Sequence, residues 1–186
     1  MPTHGERNLE LGNQAYAASF DQGHLALPPS QRYTIGKRSR LQFSSSTADP
    51  RATVTCMDAR IDPAAAFGIP LGAAHVIRNA GGCVKDAFRS IVISQQLLGT
   101  REVILVKHTG CGMLTFDNET ARAMVLKKRG EVAAREVETL DFHTFRDLEI
   151  QVKKDIQWLR IKAIEENIRF SGWIYDVETG KTSRIV

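Results

Sequence analysis

The run VILVKHTGCGM at residues 103–113 sets the strongest limit on how this chain can fold. Its first four residues are apolar and mostly β-branched, with no polar alternation. A strand of that kind is buried on both faces, which calls for a mainly parallel sheet covered by helices. The run then breaks into His108, Gly110, Cys111 and Gly112. A second run, TVTCMDARIDP at 53–63, ends in a similar way: Cys56 closes its β-branched stretch, and Asp58 and Arg60 follow.

The rest of the chain reads around these two strands. LGNQAYAASF near the N-terminus suits a short helix, which LPPSQ ends. RYTI at 32–35 begins like a strand, but a Ser-rich, Pro-containing insert at 36–52 interrupts it and reads as an exposed loop, longer than usual. IDPAAAFGIPLG suits a short helical turn, and AHVIRNAGG a short strand ending in two glycines. DAFRSIVISQQLLGT predicts a helix with Phe88, Ile91, Val92 and Leu98 on one face and Asp86 at its N-cap. Strand, helix, strand in that order implies a right-handed parallel crossover. Residues 114–143 are polar and helix-permissive. FRDLEIQVKKDIQWL carries Phe145, Leu148, Val152, Ile156 and Leu159 at helical spacing, and RFSGWIYDVETGKTSRIV alternates and turns at ETGK as a hairpin does. The fold class is therefore α/β: a mainly parallel sheet with an antiparallel edge, flanked by helices. At 186 residues the chain suits one domain.

Charge excludes some functions. The formal charge of +4 is scattered, and the densest basic cluster, Lys127 to Arg129, is followed by Glu131. A nucleic-acid surface needs a concentrated basic stripe, so a solvated helix face is the better reading. No run of about 18 apolar residues exists to span a membrane. The polar N-terminus carries Glu6 and Glu10, unlike a signal or transit peptide, so a cytoplasmic setting is expected. Three cysteines, Cys56, Cys83 and Cys111, cannot all pair within one chain. Cys83 has no partner pattern and reads as structural packing.

In open parallel sheets, ligands sit beyond the carboxyl ends of the strands. Cys56, His108 and Cys111 each end or follow a predicted strand and can converge there. Taken singly, Cys56 is a buried hydrophobe and His108 an ordinary histidine. Together, two thiolates and an imidazole form a zinc set that leaves a fourth position open. Gly110 and Gly112 let the backbone turn sharply. Asp58 and Arg60, at i and i+2, point the same way on an extended backbone, and a guanidinium can hold a carboxylate ionised as an acceptor for metal-activated solvent. The competing reading is a surface ion pair that stabilises little.

CMDAR followed by HTGC resembles the zinc signature of the β-class carbonic anhydrases, Cys-x-Asp-x-Arg and then His-x-x-Cys. HVIRNAGG and RSIVISQQLLGTREVILVKHTGCGM are also similar to that family's core. The match is close over residues 53–116 and looser over the C-terminal helix and hairpin. The resemblance implies one Zn²⁺ per chain held by Cys56, His108 and Cys111, with Asp58 and Arg60 as the catalytic dyad. It implies reversible hydration of carbon dioxide to bicarbonate and a proton. Similar proteins with the same ligands hydrolyse carbonyl sulfide or carbon disulfide, which is the first alternative; a non-catalytic, zinc-stabilised module is the second. Some relatives swing the equivalent of Asp58 onto zinc as a fourth ligand in an inactive form. The short members of the family function as homodimers or dimers of dimers, with part of the cleft lent by the partner. Ala59 stands where many relatives have Ser, and the 36–52 insert interrupts a usually direct run into the first strand. That insert is either a tolerated loop or translated sequence that another isoform splices out.

Overall fold

The computed structural model describes residues 3–25, 51–164 and 166–186. The expected strand at 32–35 and residues 36–50 of the expected insert lie outside them. The insert ends earlier than its composition suggested, because Arg51 and Ala52 already belong to the first strand.

Among the described residues, five strands form one sheet: β1 (Arg51–Cys56), β2 (Ala74–Asn79), β3 (Glu102–His108), β4 (Arg169–Tyr175) and β5 (Thr182–Arg184). Their order is β2-β1-β3-β4-β5. The first four run parallel and β5 returns antiparallel to β4. The expected architecture is thus present, edge hairpin included. From β1 the chain steps outward to β2, then crosses back over β1 to enter β3. Connections leaving in opposite directions open a crevice at the carboxyl ends of β1 and β3.

Among the described residues, five α-helices accompany the sheet: α1 (His4–Ala17), α2 (Pro63–Ala66), α3 (Val84–Gln96), α4 (Asn118–Glu136) and α5 (Leu148–Ile161). Local chemistry opens each of three helices: the carboxylates of Asp62, Asp117 and Asp147 accept amide hydrogens of the first turns of α2, α4 and α5. Thr3 and Glu6 form a capping box on α1. The N-cap of α3 is Cys83, and Asp86 lies in the first turn instead. An acidic residue there still meets the favourable end of the helix dipole, which is why the sequence signal resembled a cap.

The main core joins Val54 of β1 and Val103 and Leu105 of β3 to Val84, Ala87 and Ile91 of α3 and Ile156 and Leu159 of α5. Of the four residues expected on the buried face of α3, only Ile91 is buried; Phe88, Val92 and Leu98 are half-buried. Phe88 instead meets Trp158 of α5 edge-on, with ring centroids 5.2 Å apart. Val152, Ile156 and Leu159 bury the expected stripe of α5. Phe145 precedes that helix and packs with Cys56, Ile61, Cys111 and Met113 in a second cluster near the crevice.

Gly172 lets α5 approach the sheet. A Cβ built on it would lie 2.5 Å from Cγ1 of Val152 and 3.0 Å from Cγ1 of Ile156. Both neighbours are fully buried, so neither can move aside cheaply. Gly172→Ala is expected to destabilise the protein by about 1–3 kcal/mol, the usual range for an overpacked core. Urea unfolding checks this, and an unchanged midpoint refutes the close packing.

Candidate metal centre

Cys56 is the last residue of β1, His108 the last of β3, and Cys111 lies three residues beyond. Neighbouring parallel strands therefore deliver one thiol and the imidazole to the same crevice, and a tight turn returns the second thiol to it. Gly110, with φ +61, supplies the left-handed backbone at that turn. Gly112 does not need it, contrary to expectation. One ligand atom from each of Cys56, His108 and Cys111 lies within 4.8 Å of the others. All three residues are buried.

The imidazole is pre-aimed. His108 Nδ1 lies 2.9 Å from the Thr109 carbonyl oxygen and donates to it. That assigns the proton to Nδ1 and leaves a lone pair on Nε2, a buried atom with no hydrogen-bond partner. A buried unpaired polar atom costs stability, and a metal ion relieves that cost.

The proximity of the two sulfurs drives their proton affinities apart. Donation from the Cys111 thiol pulls the Cys56 thiol well below its ordinary value, aided by the amides of Asp58 and Gly81, against the opposing effect of burial. The same proximity, together with burial, pushes the Cys111 thiol up. Two close sulfurs that cannot both ionise alone can do so around a dication. Among the described residues, this donor set fits zinc in composition, burial and tautomer.

Asp58 and Arg60 stand at the rim. They sit in a turn rather than on extended backbone, and they meet because the guanidinium folds back. Arg60 Nε donates to Asp58 Oδ1 at 2.9 Å and Nη2 to Oδ2 at 2.7 Å, while the Arg60 amide also donates to Oδ1. This bidentate hold keeps the Asp58 carboxyl well below the usual carboxylate range. Arg60 Nη2 also reaches the Gly110 carbonyl at 3.1 Å, tying the dyad to the ligand turn. Asp58 Oδ2 lies 3.8 Å from His108 Nε2. Both of its oxygens accept from Arg60.

Two supporting residues carried little or no readable signal. Arg78 of β2 donates to the backbone carbonyls of Cys56 and Asp58 at 3.1 and 2.7 Å, which fixes the turn between ligand and dyad. Lys107, beside His108, is buried and paired with buried Asp155 of α5 at 3.0 Å. Its Nζ also donates to the carbonyls of Gly81 and Gly82 and lies over the Phe145 ring. Gly81 is the residue whose amide faces Cys56. Only the parity of β3 hinted at Lys107, by placing a charge inside an apolar run. Cys83 is buried, and burial pushes its thiol up; it is not part of this centre but lies beside Asp86 and His143.

A family model described as carbonic anhydrase matches residues 51–182. The chain is 37% identical over 176 residues to beta-carbonic anhydrase 1 of Mycobacterium tuberculosis, covering 93% of each protein. It is 32% identical over 149 residues to a carbon disulfide hydrolase of Saccharolobus solfataricus, covering 69% of this chain and 73% of that one. The solved structure of a carbonic anhydrase from Glaciozyma antarctica superposes with a TM-score of 0.85 at 41% identity, covering both chains fully.

Replacing Lys107 alone strands the Asp155 carboxylate in the core. Lys107→Met is expected to cost about 3–5 kcal/mol, whereas Lys107→Met with Asp155→Leu should regain most of that loss. Urea midpoints of the two variants make the comparison, and a double variant no more stable than the single one contradicts it.

Proposed function

The chain belongs to the β-class carbonic anhydrase family, and from that premise we propose that it hydrates carbon dioxide reversibly to bicarbonate and a proton. Cys56, His108 and Cys111 hold one zinc ion per chain in this reading, with Asp58 and Arg60 as the catalytic dyad. When bound, zinc supplies a Lewis acid that makes hydroxide available near neutral pH. The observation that carries the reading is the buried Nε2 of His108, without a hydrogen-bond partner among the described residues and gathered within 4.8 Å of the Cys56 and Cys111 sulfurs.

The chain's own residues then set the geometry of attack. As thiolates, Cys56 and Cys111 balance the charge of the dication, and the Thr109 carbonyl keeps the imidazole turned inward. Asp58 Oδ1 already accepts two hydrogens from Arg60, whereas Oδ2 accepts one. One lone pair of Oδ2 is therefore free on the side facing the ligands. Because Arg60 keeps Asp58 ionised, Oδ2 can only accept, so attacking solvent would keep its hydrogen, donate a hydrogen bond to Oδ2 and turn a lone pair toward carbon. A new carbon–oxygen bond then yields bicarbonate.

Carbon disulfide or carbonyl sulfide hydrolysis uses the same attack on another linear molecule, and the Saccharolobus relative supports it. Hydration is favoured because the carbonic anhydrase relatives match nearly the whole chain, at higher identity. A purely structural zinc normally takes four protein ligands, and three donors converge here among the described residues. We also propose assembly at least to a homodimer. In its support, α1 buries none of its residues among the described ones and exposes Leu9, Leu11 and Tyr16. A cytoplasmic setting fits three unpaired cysteines; no described helix is long and apolar enough to cross a membrane.

Stopped-flow CO₂ hydration measured beside sulfide release from carbon disulfide tests the substrate; sulfide release without hydration overturns the assignment. Asp58→Asn should retain zinc and lose about 10²-fold or more in turnover, as expected when a positioned proton acceptor is removed. Cys111→Ala should lose zinc by elemental analysis, and a fully loaded variant rejects the ligand set.

A further inference from the structure

A second group of metal-ligating side chains lies apart from the Cys56, His108 and Cys111 centre. Cys83, Asp86 and His143 bring a sulfur, a carboxylate oxygen and a ring nitrogen within 4.8 Å of one another. Cys83 and Asp86 stand three apart at the start of α3 and so share one side of it. His143 arrives from the connection between α4 and α5. We propose that these three side chains form a second cation site, for a transition-metal dication of the zinc class, that clamps the His143 segment to the start of α3.

The ring of His143 is held as a ligand's ring is held. Its Nδ1 lies 2.9 Å from Asp141 Oδ2. The other oxygen of Asp141 accepts from Asn118 Nδ2 at 3.1 Å and from the His143 amide at 2.8 Å. With Nδ1–H committed to a carboxylate that is itself fixed, Nε2 is left to face Cys83 and Asp86. Carboxylate, histidine and metal in that order is the usual support of a ligating imidazole.

Distance separates a metal site from a simple ion pair. His143 Nε2 lies 3.4 Å from Asp86 Oδ1. A charged hydrogen bond draws its atoms to about 2.7–2.9 Å. Two ligands each about 2.0–2.1 Å from a tetrahedral ion stand about 3.3 Å apart. Sulfur and nitrogen donors select a zinc-class ion over magnesium or calcium. The Cys83 thiolate and Asp86 together balance a dication. Lys85 and Lys154 line the adjoining cavity of about 310 Å³, so attraction comes from the donors themselves and not from the surrounding field. That cavity leaves room for solvent as a fourth ligand. On binding, the ion replaces the Cys83 thiol proton, which passes to solvent, and no oxidation state changes.

The test uses the protein with its first zinc in place. After dialysis against micromolar free Zn²⁺, elemental analysis should give two ions per chain for the native protein. Cys83→Ala and His143→Ala should give one, and both should retain CO₂ hydration. Cobalt added to the zinc-loaded native protein should produce a sulfur-to-cobalt charge-transfer band that Cys83→Ala lacks. One ion per native chain, or two in each variant, overturns the proposal. If a variant fails to fold and loses both ions, Asp86→Asn decides, since Asp86 is exposed. It should weaken the second ion at least tenfold, and unchanged affinity refutes the site. The first ion and its activity report on the catalytic centre separately, so either reading can fail without the other.

Discussion

Thr55 stands opposite Val106 in the parallel pairing of β1 and β3, and the placement of the metal centre follows from that register. Cys56 is one residue past Thr55 and His108 two past Val106, so both emerge at the same sheet edge. A slip of one residue would turn Cys56 to the opposite face of the sheet. Several contacts guard against it. Val54 and Leu105 are paired in the same register and fully buried in the core under α3 and α5. Thr55 Oγ1 donates to the Val106 carbonyl at 2.9 Å, a buried bond across the two strands. The apolar core thereby sets the positions of polar atoms it does not touch.

Around this register the polar groups form two layers. Inside lie the ligands and, behind them, the buried Lys107–Asp155 ion pair. Burying such charges is costly unless each finds a partner, and Lys107 finds Asp155, two carbonyls and an aromatic face. Its reward is positional: it holds the Gly81–Gly82 turn against Cys56. Outside lies the dyad, with the Arg60 side chain 52% exposed and Asp58 18%. Asp58 thus faces the buried donors on one side and a solvated guanidinium on the other. That position suits the ionised acceptor role proposed for it.

The parallel sheet and its hairpin edge were legible because Val103 to Val106 form an unbroken apolar run in β3 and the tail alternates. The three ligands and the dyad were legible because each ends or follows a strand, and strand ends are where such sheets bind. Other features were not. Asp86 resembled a cap because acidic residues favour the whole first turn of a helix, and the cap itself is Cys83. Phe145 matched the period of α5 by coincidence, and the chain enters the helix only after Asp147. The surroundings of Cys83 were hidden because His143 lies 60 residues away, on a segment with no periodic pattern.

By itself the sequence determined which residue types are available and at which strand ends, since hydrophobic period and strand punctuation are local properties. It could name Cys56, His108 and Cys111 as a set and Asp58 with Arg60 as a pair. Only the tertiary structure decided that the Nε2 lone pair of His108 points inward, that Arg60 grips both oxygens of Asp58, and that Lys107 and Arg78 brace the turns beneath them. Those are relations between segments far apart in the chain, decided by packing and by the need to satisfy buried polar atoms, and no local pattern encodes them.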